Sequence, residues 1–196
     1  MRRVAHALPA TVEGFRKCRL QLHIFQGYFA VMISKKVCML GGFSVGKTSL
    51  VERYVYSIFS DKYLSTIGVK ISKKAFSLDG TDVTLILWDM EGEDIYADVN
   101  LLYLRGAMGF FVVADGMRKE TLEIALHLRQ AALATAGQIP SYLLINKADM
   151  ADKWEITEEM LAPLAGQGIP MLRTSARTGA GVEEAFAALT RDMMKP

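Results

Sequence analysis

Eight residues constrain this chain more than any others: Gly41-Gly42-Phe43-Ser44-Val45-Gly46-Lys47-Thr48, with the pattern G-x-x-x-x-G-K-[ST]. Their surroundings make the pattern specific. The apolar run Val37-Cys38-Met39-Leu40 enters as a buried strand, and Thr48-Ser49-Leu50-Val51-Glu52-Arg53-Tyr54-Val55 leaves with helical spacing. A strand that turns sharply into a helix start aims successive backbone N–H groups at one point, where phosphate oxygens can be wrapped. Gly41, Ser44, Val45, Gly46 and Ser49 belong to that ring. Lys47 would place its ammonium on the β- and γ-phosphates of a nucleotide, and Thr48 would offer its hydroxyl to Mg²⁺.

The rest of the chain suits one soluble domain. Its 196 residues allow a substantial core, and 51% apolar with 22% charged residues is a globular composition. Charge is uneven. Residues 1–34 hold Arg2, Arg3, Arg16, Lys17 and Arg19 against Glu13 alone, leaving 18 basic and 20 acidic residues beyond them. That body is not a basic nucleic-acid binder. Cys18 and Cys38 form no disulfide framework and no zinc spacing, which fits a reducing cytoplasm. The most apolar run, Leu20 to Ile33, is interrupted by Gln21, His23 and Gln26 and is too short to span a bilayer. The tail ending Met194-Lys195-Pro196 offers no cysteine for lipidation. Residues 1–34 admit several readings: an upstream over-extension with Met32 as the true start, a regulatory arm, or an Arg-rich transit peptide. Leu20–Ile24 could also form an edge strand.

From residue 35 onward strands alternate with helices. After the first strand and helix come Val69–Leu78 and Val83–Asp89, joined by the hairpin signal Asp79-Gly80 and therefore antiparallel. A helical stretch about Asp94–Leu104 follows, then a strand at Gly109–Ala114 and a long helix about Lys119–Ala136. Ser141–Asn146 reads as a strand, Thr157–Gly166 as a helix, Met171–Ser175 as the last strand and Val182–Met194 as the last helix. Continuous apolar strands between helices predict an α/β fold with a mostly parallel sheet covered on both faces. Ligand-binding loops then belong at the strands' carboxyl ends.

Three further motifs fall at those ends. In Trp88-Asp89-Met90-Glu91-Gly92, Asp89 closes a buried strand where an acid can reach the hydration shell of Mg²⁺ beside Thr48, and Gly92 can turn its N–H to a γ-phosphate. In Asn146-Lys147-Ala148-Asp149, the Asp149 carboxylate can accept from N1–H and the exocyclic N2 amine of guanine, a donor pair that adenine lacks. The stem of Lys147 can lie on the flat base. In Thr174-Ser175-Ala176, backbone N–H groups can donate to guanine O6.

Phosphate loop, threonine, D-x-x-G, N-K-x-D and S-A stand in the order and spacing of small GTPases of the Ras superfamily. The chain resembles the Rab branch most, through Phe59-Ser60-Asp61-Lys62-Tyr63-Leu64-Ser65-Thr66-Ile67-Gly68-Val69 and Leu104-Arg105-Gly106-Ala107-Met108-Gly109. The likeness covers roughly residues 36–192. It implies the fold of the phosphate-loop GTPases: a six-stranded, mostly parallel sheet with one antiparallel edge strand and helices on both faces. It implies GTP or GDP as ligand with Mg²⁺ held by Thr48, Thr66 and Asp89. Phe59 would pack edge-on against guanine, Tyr63 would close over the phosphates, and Thr66 and Gly92 would hold the γ-phosphate and release it after hydrolysis. Simple packing at a helix end is the plain alternative for Phe59 and Tyr63. The implied partners are a protein effector and an exchange factor or activating protein, meeting the switches at about Ser60–Lys70 and Gly92–Tyr103.

The departures from the family pattern bear on catalysis. Gln usually follows the Gly of the second switch; here Gly92 is followed by Glu93. A carboxylate can polarise water, but it cannot donate to the phosphate and it faces gathering negative charge. Glu93 is therefore the catalytic candidate, alongside Lys47, Thr66 and Gly92, with its sign open and slow hydrolysis expected. Phe43 stands where a small residue is usual and would crowd an activating protein's arginine, a group worth roughly 10³–10⁵ in rate. Arg177 replaces a frequent lysine and either covers one face of the base or is solvated. Arg105 and Arg118 read as structural or surface groups. Met90 and Glu91 replace Thr-Ala at the entry to the second switch. The reading is a GTP/GDP switch with weak hydrolysis. Its rivals are a pseudo-GTPase platform, an RNA-linked GTPase disfavoured by the acidic body, and a small-molecule kinase disfavoured by N-K-x-D.

Overall fold

The computed structural model describes residues 33–60, 65–92 and 101–195. The chain divides into two units, Met1–Val31 and Met32–Pro196, and every described residue lies in the second. The candidate strand at Leu20–Ile24 lies outside the described residues, as do Tyr63, Glu93 and most of the helical stretch expected from Asp94. Of that stretch, Leu101–Leu104 is a single 3₁₀ turn.

Six strands form one sheet: β1 (Ile33–Gly41), β2 (Val69–Leu78), β3 (Thr81–Met90), β4 (Gly109–Asp115), β5 (Ser141–Asn146) and β6 (Met171–Arg173). Their spatial order is β2-β3-β1-β4-β5-β6. Only β2–β3 is antiparallel, with Phe76 opposite Val83, and β2 lies at the edge as expected. The hairpin turns at Asp79 and Gly80, both with positive φ. Four α-helices are found among the described residues: α1 (Lys47–Tyr56), α2 (Glu120–Ala136), α3 (Glu158–Gly166) and α4 (Val182–Met194).

Alternation along the strands sorts two cores, one on each face of the sheet. Cys38, Leu40, Phe110, Val112, Leu143 and Ile145 pack with Leu122, Ala125 and Leu128 of α2 and Leu161 and Leu164 of α3. Val37, Met39, Leu85, Leu87, Phe111 and Leu144 pack with Leu50 and Tyr54 of α1 and Phe186 and Leu189 of α4. The Tyr54 and Phe186 rings stack with centroids 3.8 Å apart, joining the two helices on that face. Cys38 is fully buried, and burial pushes its thiol up to about 11, so it is an inert core residue.

One strand is shorter than the pattern predicts. β6 ends at Arg173, not Ser175. The Ser175 N–H turns to Ala180 O (2.9 Å) and the Ser175 carbonyl accepts from Gly179 (2.8 Å), so the chain folds back into a loop before the helix. That loop is where the sequence places its third motif.

Candidate nucleotide-binding site

The carboxyl ends of β3 and β5 and the loops after β1 and β6 open onto one cavity of about 340 Å³. Phe43, Ser44, Gly46, Lys47, Thr48 and Ser49 line one end of it. Asn146, Lys147, Asp149, Ala176 and Arg177 line it from the second and third motifs, and Phe59, Thr66 and Gly92 also reach it. Motifs more than a hundred residues apart thus share a single wall.

The glycine-rich turn has the backbone its sequence calls for. Gly41, Ser44 and Gly46 all have positive φ, which concentrates N–H groups on the concave side. Gly46 caps α1 at φ 98°, and a Cβ there would sit 2.3 Å from Nδ2 of Asn146, so no side chain fits. Lys47 is 6% exposed and its ammonium donates to the carbonyls of Gly41 (2.8 Å) and Gly42 (2.9 Å).

Beside it stands a cation site in the making. The Thr48 and Thr66 hydroxyls lie 2.7 Å apart, although 18 residues separate them. Asp89, at the end of β3, is fully buried, and its two oxygens lack a well-formed hydrogen bond, with the Thr48 hydroxyl near enough to act on them. Burial raises its pKa; the Thr48 hydroxyl and the Lys47 ammonium oppose that shift without cancelling it. A buried carboxyl without a well-formed hydrogen bond, next to paired hydroxyls, suits a hard, hydrated cation that takes oxygen ligands. Thr48, Thr66 and Asp89 therefore fit Mg²⁺, which when bound would neutralise charge on phosphate oxygens.

At the other end, Asn146 joins two loops. Its Nδ2 donates to Val45 O in the phosphate loop (2.9 Å), and its Oδ1 accepts from the Ala176 N–H and the Thr174 hydroxyl (both 3.3 Å). Lys147 adopts the left-handed conformation at φ 67°. Asp149 Oδ1 accepts from the Ser175 hydroxyl (2.5 Å), while Arg177 stands 4.0 Å from its other oxygen with its own side chain mostly exposed. Phe59 is half-buried against the α1–α4 core.

Several contributors carry no sequence signal. Arg53 of α1 donates to the carbonyls of Ala176 (2.7 Å) and Arg177 (2.5 Å), clasping the third motif from 123 residues away. Trp154 donates to Lys147 O (3.0 Å) and fills the space over Gly116. Glu91 accepts the Gly68 N–H through Oε2 (3.0 Å) and donates its own N–H to Gly68 O (2.9 Å), tying the end of the first switch segment to the start of the second. Arg118, expected as a structural or surface group, reaches Phe43 O (2.9 Å). A helical or loop charge shows nothing of such partners until the fold closes.

A mostly parallel sheet, a glycine turn into α1 and a cavity that brings Asp149 together with Lys47, Thr48 and Thr66 define a phosphate-loop nucleotide-binding protein. A model of the Ras family matches residues 36–195, and the chain belongs to that family. It is similar to the Ras-related protein Rab-8B of Homo sapiens, 35% identical over 161 residues that cover 81% of this chain and 78% of that protein. It is also similar to Rab-13 of Canis lupus familiaris, 32% identical over 81% of this chain and 79% of that protein. The chain is thus a Rab-like small GTPase of the Ras superfamily, a family whose members bind GTP and hydrolyse it. No helix among the described residues is long and apolar enough to cross a membrane.

Proposed function

We propose that the unit from residue 35 onward is a cytoplasmic switch that binds GTP or GDP with Mg²⁺ and hydrolyses GTP slowly, its two switch segments being read by a protein effector. The observation that carries this reading is the buried Asp89 carboxyl, without a well-formed hydrogen bond, beside the Thr48–Thr66 hydroxyl pair, whose two threonines line the same cavity as Asp149. Asp149 selects guanine, Lys147 covers the base, the loop Gly41–Thr48 grips the phosphates, and Thr66 and Gly92 sense the γ-phosphate. Ile67 and Leu102, among the most exposed large apolar side chains described, support the partner surface.

The purified protein should carry guanine nucleotide, and calorimetry should show GDP and GTP binding at micromolar or tighter affinity with ATP far weaker. Equal affinity for ATP would overturn the reading. Hydrolysis followed by chromatography over hours separates a slow enzyme from a platform that never turns over. Glu93 is the residue to change: under single turnover, a large gain in Glu93→Gln supports slow hydrolysis caused by the carboxylate, and a large loss assigns Glu93 a catalytic role. Phe43, 48% exposed at the cavity, supports resistance to an inserted arginine.

A further inference from the structure

We propose that Arg118 is a positioning residue that locks the base-reading end of the cavity to its phosphate-reading end and so sets how long nucleotide stays bound. The inference rests on the guanine-nucleotide reading of the cavity.

Asp115 closes β4 opposite Asn146 of β5, and its side chain is 1% exposed. A carboxylate so buried must be paired. Its Oδ2 accepts from Lys147 Nζ (2.6 Å) and Arg118 Nε (2.9 Å), and its Oδ1 accepts from the Met117 N–H (3.1 Å). The guanidinium fork leaves Arg118 a second donor, and Nη2 gives it to the Phe43 carbonyl at 2.9 Å, 75 residues earlier in the chain. A continuous path results: Phe43 carbonyl, Arg118, Asp115, Lys147. Both ends of it line the cavity.

The pinning of Lys147 agrees with its role. With its ammonium held at Asp115, Lys147 is fixed on the cavity that it lines, where its aliphatic stem can lie on a base. If the Lys147 loop swings out to release the base, Asp115 loses one cation and keeps Arg118 as the other, beside the Met117 N–H. If the phosphate loop moves, Arg118 loses Phe43 and its hold on Asp115 is no longer braced. Each end therefore resists the opening of the other. The side chain of Arg118 is 36% exposed, so its contribution is to geometry more than to global stability. Asn146, bonded to Val45 O, forms a separate link that does not pass through Asp115.

The test is release of a fluorescent GDP analogue from the full chain with Mg²⁺, chased by excess GDP. Arg118→Ala should release about tenfold faster than wild type. Arg118→Lys keeps the positive charge for Asp115, but a single ammonium lacks the fork that spans both partners. It should release within about threefold of Arg118→Ala. Restoration of the wild-type rate by lysine would show that charge neutralisation suffices, and would overturn the proposal. In a double-mutant cycle, Lys147→Ala should cost at least about threefold less in the Arg118→Ala background than alone. Strict additivity would also overturn it. Should Arg118→Ala fail to fold, Arg118→Lys decides by comparison with wild type alone: release at least about threefold faster supports the proposal, and anything slower than that overturns it. Wild type that binds no GDP defeats the reading of the cavity; wild type that binds while Arg118→Ala releases at its rate defeats this inference alone.

Discussion

Trp154 is the residue whose role is hardest to foresee and simplest to test. Its indole N–H holds Lys147 O, and its ring lies where a Cβ on Gly116 would come within 2.2 Å of Cε2. A rigid ring cannot step aside, so the absence of a side chain at position 116 is a packing requirement. Gly116→Ala should cost about 1–3 kcal/mol by denaturant unfolding. The penalty should vanish in a Trp154→Leu background, where the double variant unfolds no more readily than Trp154→Leu alone. The place of Asp149 on the cavity, by contrast, is legible in the sequence, because the four-residue pattern N-K-x-D closes an apolar strand. Gly116 for Trp154, Ala176 for Arg53 and Phe43 for Arg118 are remote in the chain, and no local pattern announces them.

Among the elements, β5 and α4 are tied by Tyr142, whose hydroxyl donates to Asp192 Oδ2 at 2.7 Å. Burial, chiefly, and this bond push the phenol up to about 12. Lys195 first, and then Tyr142, holds the Asp192 carboxyl below its ordinary value. A depressed carboxylate contributes stability above its unfolded pKa and loses it as pH falls through the folded value. Tyr142→Phe should therefore cost about 1 kcal/mol at neutral pH, allowing for the exposure of Asp192. Chemical unfolding across a pH series should show the gap to wild type closing below the ordinary value of 3.8. The boundaries of β2, β5 and α4 follow from alternation and helical spacing alone. β6 does not, because Thr174 and Ser175 are drawn out of the strand by the loop that Asn146 and Arg53 hold.

For the molecule as a whole, the buried Asp89 carboxyl makes stability depend on what fills the cavity. Ligand that binds only the folded state at a hundredfold excess over Kd adds about 2.7 kcal/mol. For a chain of this size that corresponds to a rise of roughly 5–10 °C in Tm. Thermal unfolding with GDP and Mg²⁺ should show this rise, ATP should give almost none, and chelation of Mg²⁺ should remove a clear part of it by leaving Asp89 without its cation. An equal rise with ATP would contradict selection by Asp149.

By itself the amino-acid order determined the succession of the six strands and four α-helices seen among the described residues, the antiparallel β2–β3 hairpin and which motifs meet at the cavity. These are properties of short segments, where alternation, helical spacing and hydrogen-bonding groups a few residues apart decide the outcome. Only the tertiary structure decided that Arg53 clasps the loop after β6 and that Arg118 spans Phe43 and Asp115. Those contacts exist because the parallel sheet stacks its carboxyl ends side by side, and long charged side chains then pair across loops that the chain itself keeps far apart.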